Sequence, residues 1–265
     1  MSKTFAGLTV RQATEESPAG ISMAIYGAPG VGKTTLAAQA SLSEYGGRVL
    51  FLDAEGGTRS ISHLDNVDVI DIHDWAQFGK VTNVLANPNE ACEWGTIVLD
   101  NMSEYQAVNL KHIVGKDIPQ IQHWGQSTND MLYVTRLYRD LARKRGFNVF
   151  YIVWEAPEKD EASGIIKRDV GFTPSLARQF PGIIDIVAYL TVEADQTRVL
   201  SFAPSPRTAA KFRRSRSEAA RDIPLVLYYN AEDLPMIDLL ATLKGGQAWP
   251  TGKYTRKTQQ QGQSK

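Results

Sequence analysis

Residues 21–40 read ISMAIYGAPGVGKTTLAAQA, and the order of residue types in this stretch decides the fold. Ile21 to Tyr26 is a short apolar run that stops at Gly27, and Thr34 to Ala40 is rich in Ala and Leu, so the stretch reads strand, glycine loop, helix. Gly27-Ala28-Pro29-Gly30-Val31-Gly32-Lys33-Thr34, followed by Thr35, fits G-x-x-x-x-G-K-[ST]. Glycines let the backbone curl until successive N–H groups point at phosphate oxygens, and the helix behind them adds its positive end. In that geometry Lys33 reaches the β- and γ-phosphates and the Thr34 hydroxyl binds Mg²⁺. A random chain of this length would contain the pattern with a probability of about 1 %. The expectation is therefore ATP with Mg²⁺, cradled by Gly27 to Thr35.

Outward from the loop, strand and helix signals alternate. Val49 to Leu52 is an apolar run ending in Asp53-Ala54-Glu55-Gly56-Gly57, and Val67 to Ile72 precedes a helical stretch around Trp75 to Leu85. Thr96 to Leu99 ends at Asp100. Leu132, Val134, Leu137 and Leu141 recur at helical spacing within a helix expected from about Asn129 to Arg145, stopped by Gly146. Asn148 to Trp154 reads as a buried strand, Pro157 to Asp169 as a polar loop, and Ile183 to Val192 and Arg198 to Phe202 as two strands joined by a turn. Such alternation predicts an α/β fold: a mainly parallel sheet with helices on both faces and late antiparallel strands. The expected division is a lead segment over 1–20, one domain over 21–245, and a flexible tail, basic and Gln-rich, over 246–265.

A metal-assisted phosphate-loop hydrolase needs a second strand that ends in a carboxylate, and Thr96-Ile97-Val98-Leu99-Asp100 supplies it. Asp100 and Thr34 are thus the expected Mg²⁺ residues. AAA+ ATPases place a catalytic Glu directly after that Asp, but here the next residue is Asn101. A glutamate stands instead in Phe51-Leu52-Asp53-Ala54-Glu55, which resembles the F-[IL]-D-A-E stretch of RecA-type recombinases. That resemblance implies a RecA-like P-loop NTPase core in which Lys33 is catalytic and Glu55 polarises the attacking water. It also implies a polar sensor after the next core strand, commonly Gln, where this chain has Glu155. A carboxylate there would repel a γ-phosphate unless a base or a proton neutralised it. GAPGVGKTT, FLDAE and TIVLDN together resemble the small RecA-like ATPases of bacteriophages, a group implicated in single-strand annealing and recombination.

The 265 residues allow one large domain or two small ones. With 29 Lys+Arg against 29 Asp+Glu, no overall field favours a polyanion, so nucleic-acid binding must rest on local clusters. Charge is segregated. Residues 53–74 hold six acids and one Arg, and residues 207–221 hold six bases and Glu218. Faces of opposite sign fit head-to-tail association into rings or filaments, and the resemblance implies a neighbour's base at the γ-phosphate, with Lys211 and Arg213 the candidates. It also implies single-stranded DNA on two loops, roughly Val114 to Gln126 with Lys116, His123 and Trp124, and Pro157 to Asp169. A single-strand-binding or replication protein is a further candidate partner.

Cys92 is the one cysteine and there is no apolar run near ~18 residues, so a reducing cytoplasm and no membrane are expected, a host bacterial cytoplasm if the chain is phage-encoded. The four histidines lack metal-ligand spacing. The sequence thus reads as a Mg·ATP-dependent ATPase that couples nucleotide state to single-stranded DNA binding in phage recombination or annealing. An ATP-switched helicase loader is the alternative, and a small-molecule kinase is disfavoured because no Arg-rich lid follows Glu155.

Overall fold

The computed structural model describes residues 3–6, 8–10, 20–159, 164–213 and 218–256. Strands β1 (Lys3–Phe5) and β2 (Leu8–Val10) pair antiparallel with each other. Then follow β3 (Ser22–Gly27), α1 (Lys33–Ala38), β4 (Val49–Asp53), β5 (Val67–Asp71), α2 (Trp75–Ala86), β6 (Thr96–Asp100), α3 (Met102–Val114), α4 (Ile121–Arg145), β7 (Asn148–Lys159) and β8 (Ile166–Val170). The remainder comprises α5 (Pro174–Ile183), β9 (Ile186–Val192), β10 (Arg198–Ser201), β11 (Lys211–Phe212), α6 (Glu218–Arg221), β12 (Val226–Tyr229) and α7 (Pro235–Gly245).

Every residue of β3, β4 and β6 is buried, which is why these strands read as unbroken apolar runs: a parallel strand covered on both faces has no polar side to alternate with. Successive residues serve opposite cores. Ala24 and Tyr26 pack with Phe78, Tyr105, Tyr138 and Phe180 from α2 to α5, while Met23 and Ile25 pack with Leu36, Met236 and Leu239 from α1 and α7. The sheet order is β12-β10-β9-β3-β7-β6-β4-β5. From β9 to β5 the neighbours are parallel, and β10, β11 and β12 add antiparallel pairs on the β9 side. This is the expected α/β arrangement. The chain leaves β3 toward β4 on one side and later returns past it to β9 on the other, so the loop after β3 lies at a topological switch point, where open α/β sheets bind ligands.

Three local expectations differ. The long helix starts at Ile121, eight residues before Asn129, where the His123 Nδ1 accepts the Gln120 N–H at 3.1 Å and caps the first turn. Within the span expected as a polar loop, Pro157 to Asp169, the described residues form paired strand: β7 runs on to Lys159 and pairs antiparallel with β8, Pro157 opposite Arg168; residues 160–163 lie outside the described residues. The flexible tail expected from residue 246 is ordered at its start. Trp249 and Tyr254 are buried in the α1 and α7 core, 5.7 Å apart between ring centroids; residues 257–265 lie outside the described part. Among the described residues no helix is long and apolar enough to cross a membrane.

Candidate functional site

Parallel pairing brings the ends of four strands level. Gly27 is in register with Trp154, and Asp53 with Asp100, so the loop after β3, the FLDAE turn, Asp100 and Glu155 share one edge of the sheet. Gly30 and Gly32 adopt φ of 80° and 98°, the left-handed backbone that an L side chain resists, and Gly32 is the N-cap of α1. The curl folds Lys33 back, its Nζ donating to the Gly27 and Ala28 carbonyls at 3.0 and 2.9 Å. Burial lowers the pKa of this ammonium, opposed by the charges of Glu55, Asp100 and Glu155.

Thr34 Oγ1 donates to Asp100 Oδ2 at 2.7 Å. Burial pushes the Asp100 carboxyl up to about 6 against that bond, with Asp53 and Glu55 adding to the rise. Asp53 Oδ1 accepts the Glu55 and Gly56 N–H groups at 2.9 and 2.8 Å, which closes the turn that presents Glu55. The other oxygens, Asp53 Oδ2 and Asp100 Oδ1, are buried without a hydrogen-bond partner. Two adjacent buried carboxylates, each with an unused oxygen beside a threonine hydroxyl, are a hard-oxygen donor set that fits Mg²⁺. A cleft of about 240 Å³ runs over these groups, lined by Gly32, Lys33, Thr34, Thr35, Glu55 and Asp100 among others. It can take phosphates; it is too small for a whole nucleotide.

Asn101 was not among the expected site residues, yet it organises the carboxylates. Its Nδ2 donates to Glu55 Oε2, and its Oδ1 caps α3 by accepting the Glu104 N–H at 2.8 Å. Trp154 Nε1 donates to Glu55 Oε1 at 3.4 Å. A helix-capping Asn directly after a strand-ending Asp is the signal that could have found the first contact; the second depends on β7 being in register with β3. Glu155 faces the same edge, accepting the Tyr189 hydroxyl at 3.0 Å, with Arg168 Nε 3.7 Å away.

The remaining expected residues lie elsewhere. Lys211 pairs with Val187, which is level with Ala24 in β3, and its Nζ donates to the Pro181 and Ile184 carbonyls at 2.8 and 2.7 Å. Arg213 lies 3.4 Å from Asp185. Both therefore sit at the far end of this chain's strands from its own phosphate loop. Arg214 and Arg216 lie outside the described residues. Of the two loops expected to meet DNA, the first is a turn from Gly115 to Gln120 running into α4, with Ile118, Ile121 and Trp124 exposed. The second includes the antiparallel β7–β8 pair; residues 160–163 lie outside the described residues.

A profile of the AAA domain family matches residues 19–214. No curated protein matches the chain in sequence. Among solved structures it is similar to that of the RadB recombinase, at 16 % identity over 82 % of this chain and 89 % of that one, with a TM-score of 0.49. That likeness is too distant to bear on activity. With a phosphate loop at the switch point of this mainly parallel sheet and a family match spanning most of its length, the chain belongs to the AAA domain family, and its core is a P-loop NTPase fold.

Proposed function

We propose that the chain binds and hydrolyses Mg·ATP and uses the nucleotide state to control single-stranded DNA binding in phage recombination or annealing. One observation carries the reading: Lys33, the Thr34–Asp100 pair and Glu55 converge on one cleft, with two buried carboxylate oxygens left over. Gly27 to Thr35 would hold the phosphates, and Thr34 with Asp100 the metal, which would neutralise phosphate charge. Glu55, oriented by Asn101 and Trp154, would polarise the attacking water, and Glu155 would stand toward the γ-phosphate. The nucleoside would extend past Arg198, which lies over Gly32, into a cavity of about 590 Å³ lined by Tyr228, Tyr229 and Arg256 among others.

Lys211 and Arg213, far from this chain's own loop, would serve a neighbour in a ring or filament. Exposed Trp124 would stack on a base, and a single-strand-binding or replication protein would be a further partner. The test is ATP turnover against protein concentration, with and without single-stranded DNA. The expected result is stimulation by DNA and a specific activity that climbs with concentration; no stimulation at any concentration counts against the motor.

The ATP-switched loader is the second reading, favoured by the fact that both Glu55 oxygens already accept hydrogen bonds. Glu55→Gln separates the two. A motor loses roughly 10²- to 10⁴-fold in turnover while still binding ATP; a loader keeps its partner contacts unchanged.

A further inference from the structure

Glu155 occupies a position where a negative charge is costly if ATP binds as proposed. Its carboxylate is not isolated. Tyr189 donates to Oε2 at 3.0 Å, and Arg168 Nε stands 3.7 Å from Oε1. Burial and the bond to Glu155 both raise the pKa of the Tyr189 hydroxyl, so it remains a donor. Arg168 itself is fixed through its backbone from two sides. Its N–H donates to the Arg207 carbonyl at 2.7 Å, and its carbonyl accepts the Tyr26 hydroxyl at 3.3 Å and the Ala209 N–H at 3.4 Å. Tyr26 belongs to β3, one residue before the phosphate loop, and its ring packs at a tilt against that of Tyr189 with centroids 5.0 Å apart.

The geometry points to Arg168 as a positioning residue: it is the counter-charge that lets a carboxylate stand at the sensor position, and it ties the β7–β8 hairpin to the phosphate-loop strand. The inference rests on the proposed ATP site. Arg168 acts through Glu155. Glu155 follows Trp154, which is level with Gly27, and its charge acts on Lys33; without Arg168 that charge would stand uncompensated near the proposed phosphate site, and the penalty would fall on the nucleotide that carries a γ-phosphate. A Gln at position 155 carries no charge and needs no counter-charge, so the requirement for Arg168 disappears with the carboxylate.

The test is calorimetric titration of Mg·ATP and Mg·ADP into the full chain and into Arg168→Ala, Arg168→Met and Glu155→Gln/Arg168→Ala. The Met variant keeps the aliphatic stem in case Ala disturbs the hairpin. For both single variants the expected result is an ATP affinity weakened about tenfold, with ADP changed less than about twofold. The double variant is expected to recover ATP affinity to within about threefold of the wild type. Equal loss for ATP and ADP, or a double variant no better than Arg168→Ala, would overturn the proposal and mark Arg168 as a structural part of the hairpin. A wild-type chain that binds neither nucleotide would overturn the ATP site itself, and this inference with it.

Discussion

The two ends of the same parallel strands bury polar side chains in opposite ways. At the end where the strands begin, Asn148, Thr96 and Ser22 are fully buried and each has its partners. Asn148 donates to the Tyr45 carbonyl and to Thr96 Oγ1 at 3.1 and 3.0 Å and accepts the Ile21 N–H at 3.2 Å. Thr96 donates to the Gly46 carbonyl at 2.7 Å, and Ser22 to Asp185 at 2.5 Å. At the other end Asp53 and Asp100 are just as buried, yet each keeps an oxygen with no partner, and Lys33 is drawn from water within reach of the charges of Glu55 and Asp100. Folding alone explains the first end. The second leaves desolvated charge that a ligand would complete, and such local conflict is expected where a fold carries function.

The largest expected effect breaks the balance at the phosphate end. Lys33→Ala removes a buried cation from among three carboxylates, and ATP binding should weaken by about 3 kcal/mol or more, over a hundredfold, by titration calorimetry. Asp100→Asn sharpens the contrast in the other direction. With its carboxyl raised to about 6 from an ordinary 3.8, the folded chain holds that proton more tightly than the unfolded chain. The stability of the nucleotide-free protein should therefore fall as pH rises from about 4 through about 6, by about 3 kcal/mol in all. Asp100→Asn should flatten that slope and raise the thermal midpoint at neutral pH, while turnover is lost.

Asn148→Ala treats the satisfied end. It strands the Ile21 N–H and leaves the Tyr45 carbonyl only its bond from Lys244, at a cost of about 1–3 kcal/mol in denaturant unfolding, with ATP affinity unchanged. Smallest is Trp124→Ala, a change at an exposed position outside both ends. Its unfolding midpoint should move by no more than about 0.5 kcal/mol, while affinity for single-stranded oligonucleotide drops by about 1–3 kcal/mol in fluorescence anisotropy.

The phosphate end was legible because its chemistry is written in consecutive residues: Gly27 to Thr34 and the strand-ending Asp100 are local patterns. Glu55 was legible through resemblance. What stayed hidden depends on register between distant strands. Nothing in the sequence brings Trp154 to Glu55 or Arg168 to Glu155. The strand β8, IKRDV, has a single fully buried residue, Val170, so it shows no apolar alternation and reads as loop. Helix α3 escaped for the opposite reason, since it buries Gln106 and Asn109 among its apolar residues and its face is blurred. The start of α4 was missed because Ile121 and Trp124 are apolar yet exposed, which breaks the helical stripe that begins properly at Ser127 and Thr128.

The central claim is that the unpartnered oxygens of Asp53 and Asp100 mark a metal–nucleotide site. It is tested most directly by titrating ATP into the wild type and into Asp100→Asn at pH 7.5, each with and without Mg²⁺. Mg²⁺ should strengthen ATP binding to the wild type at least tenfold, about 1.4 kcal/mol, and have no such effect on Asp100→Asn. Binding that ignores Mg²⁺ in the wild type, or a Mg²⁺ effect that survives in Asp100→Asn, would contradict it.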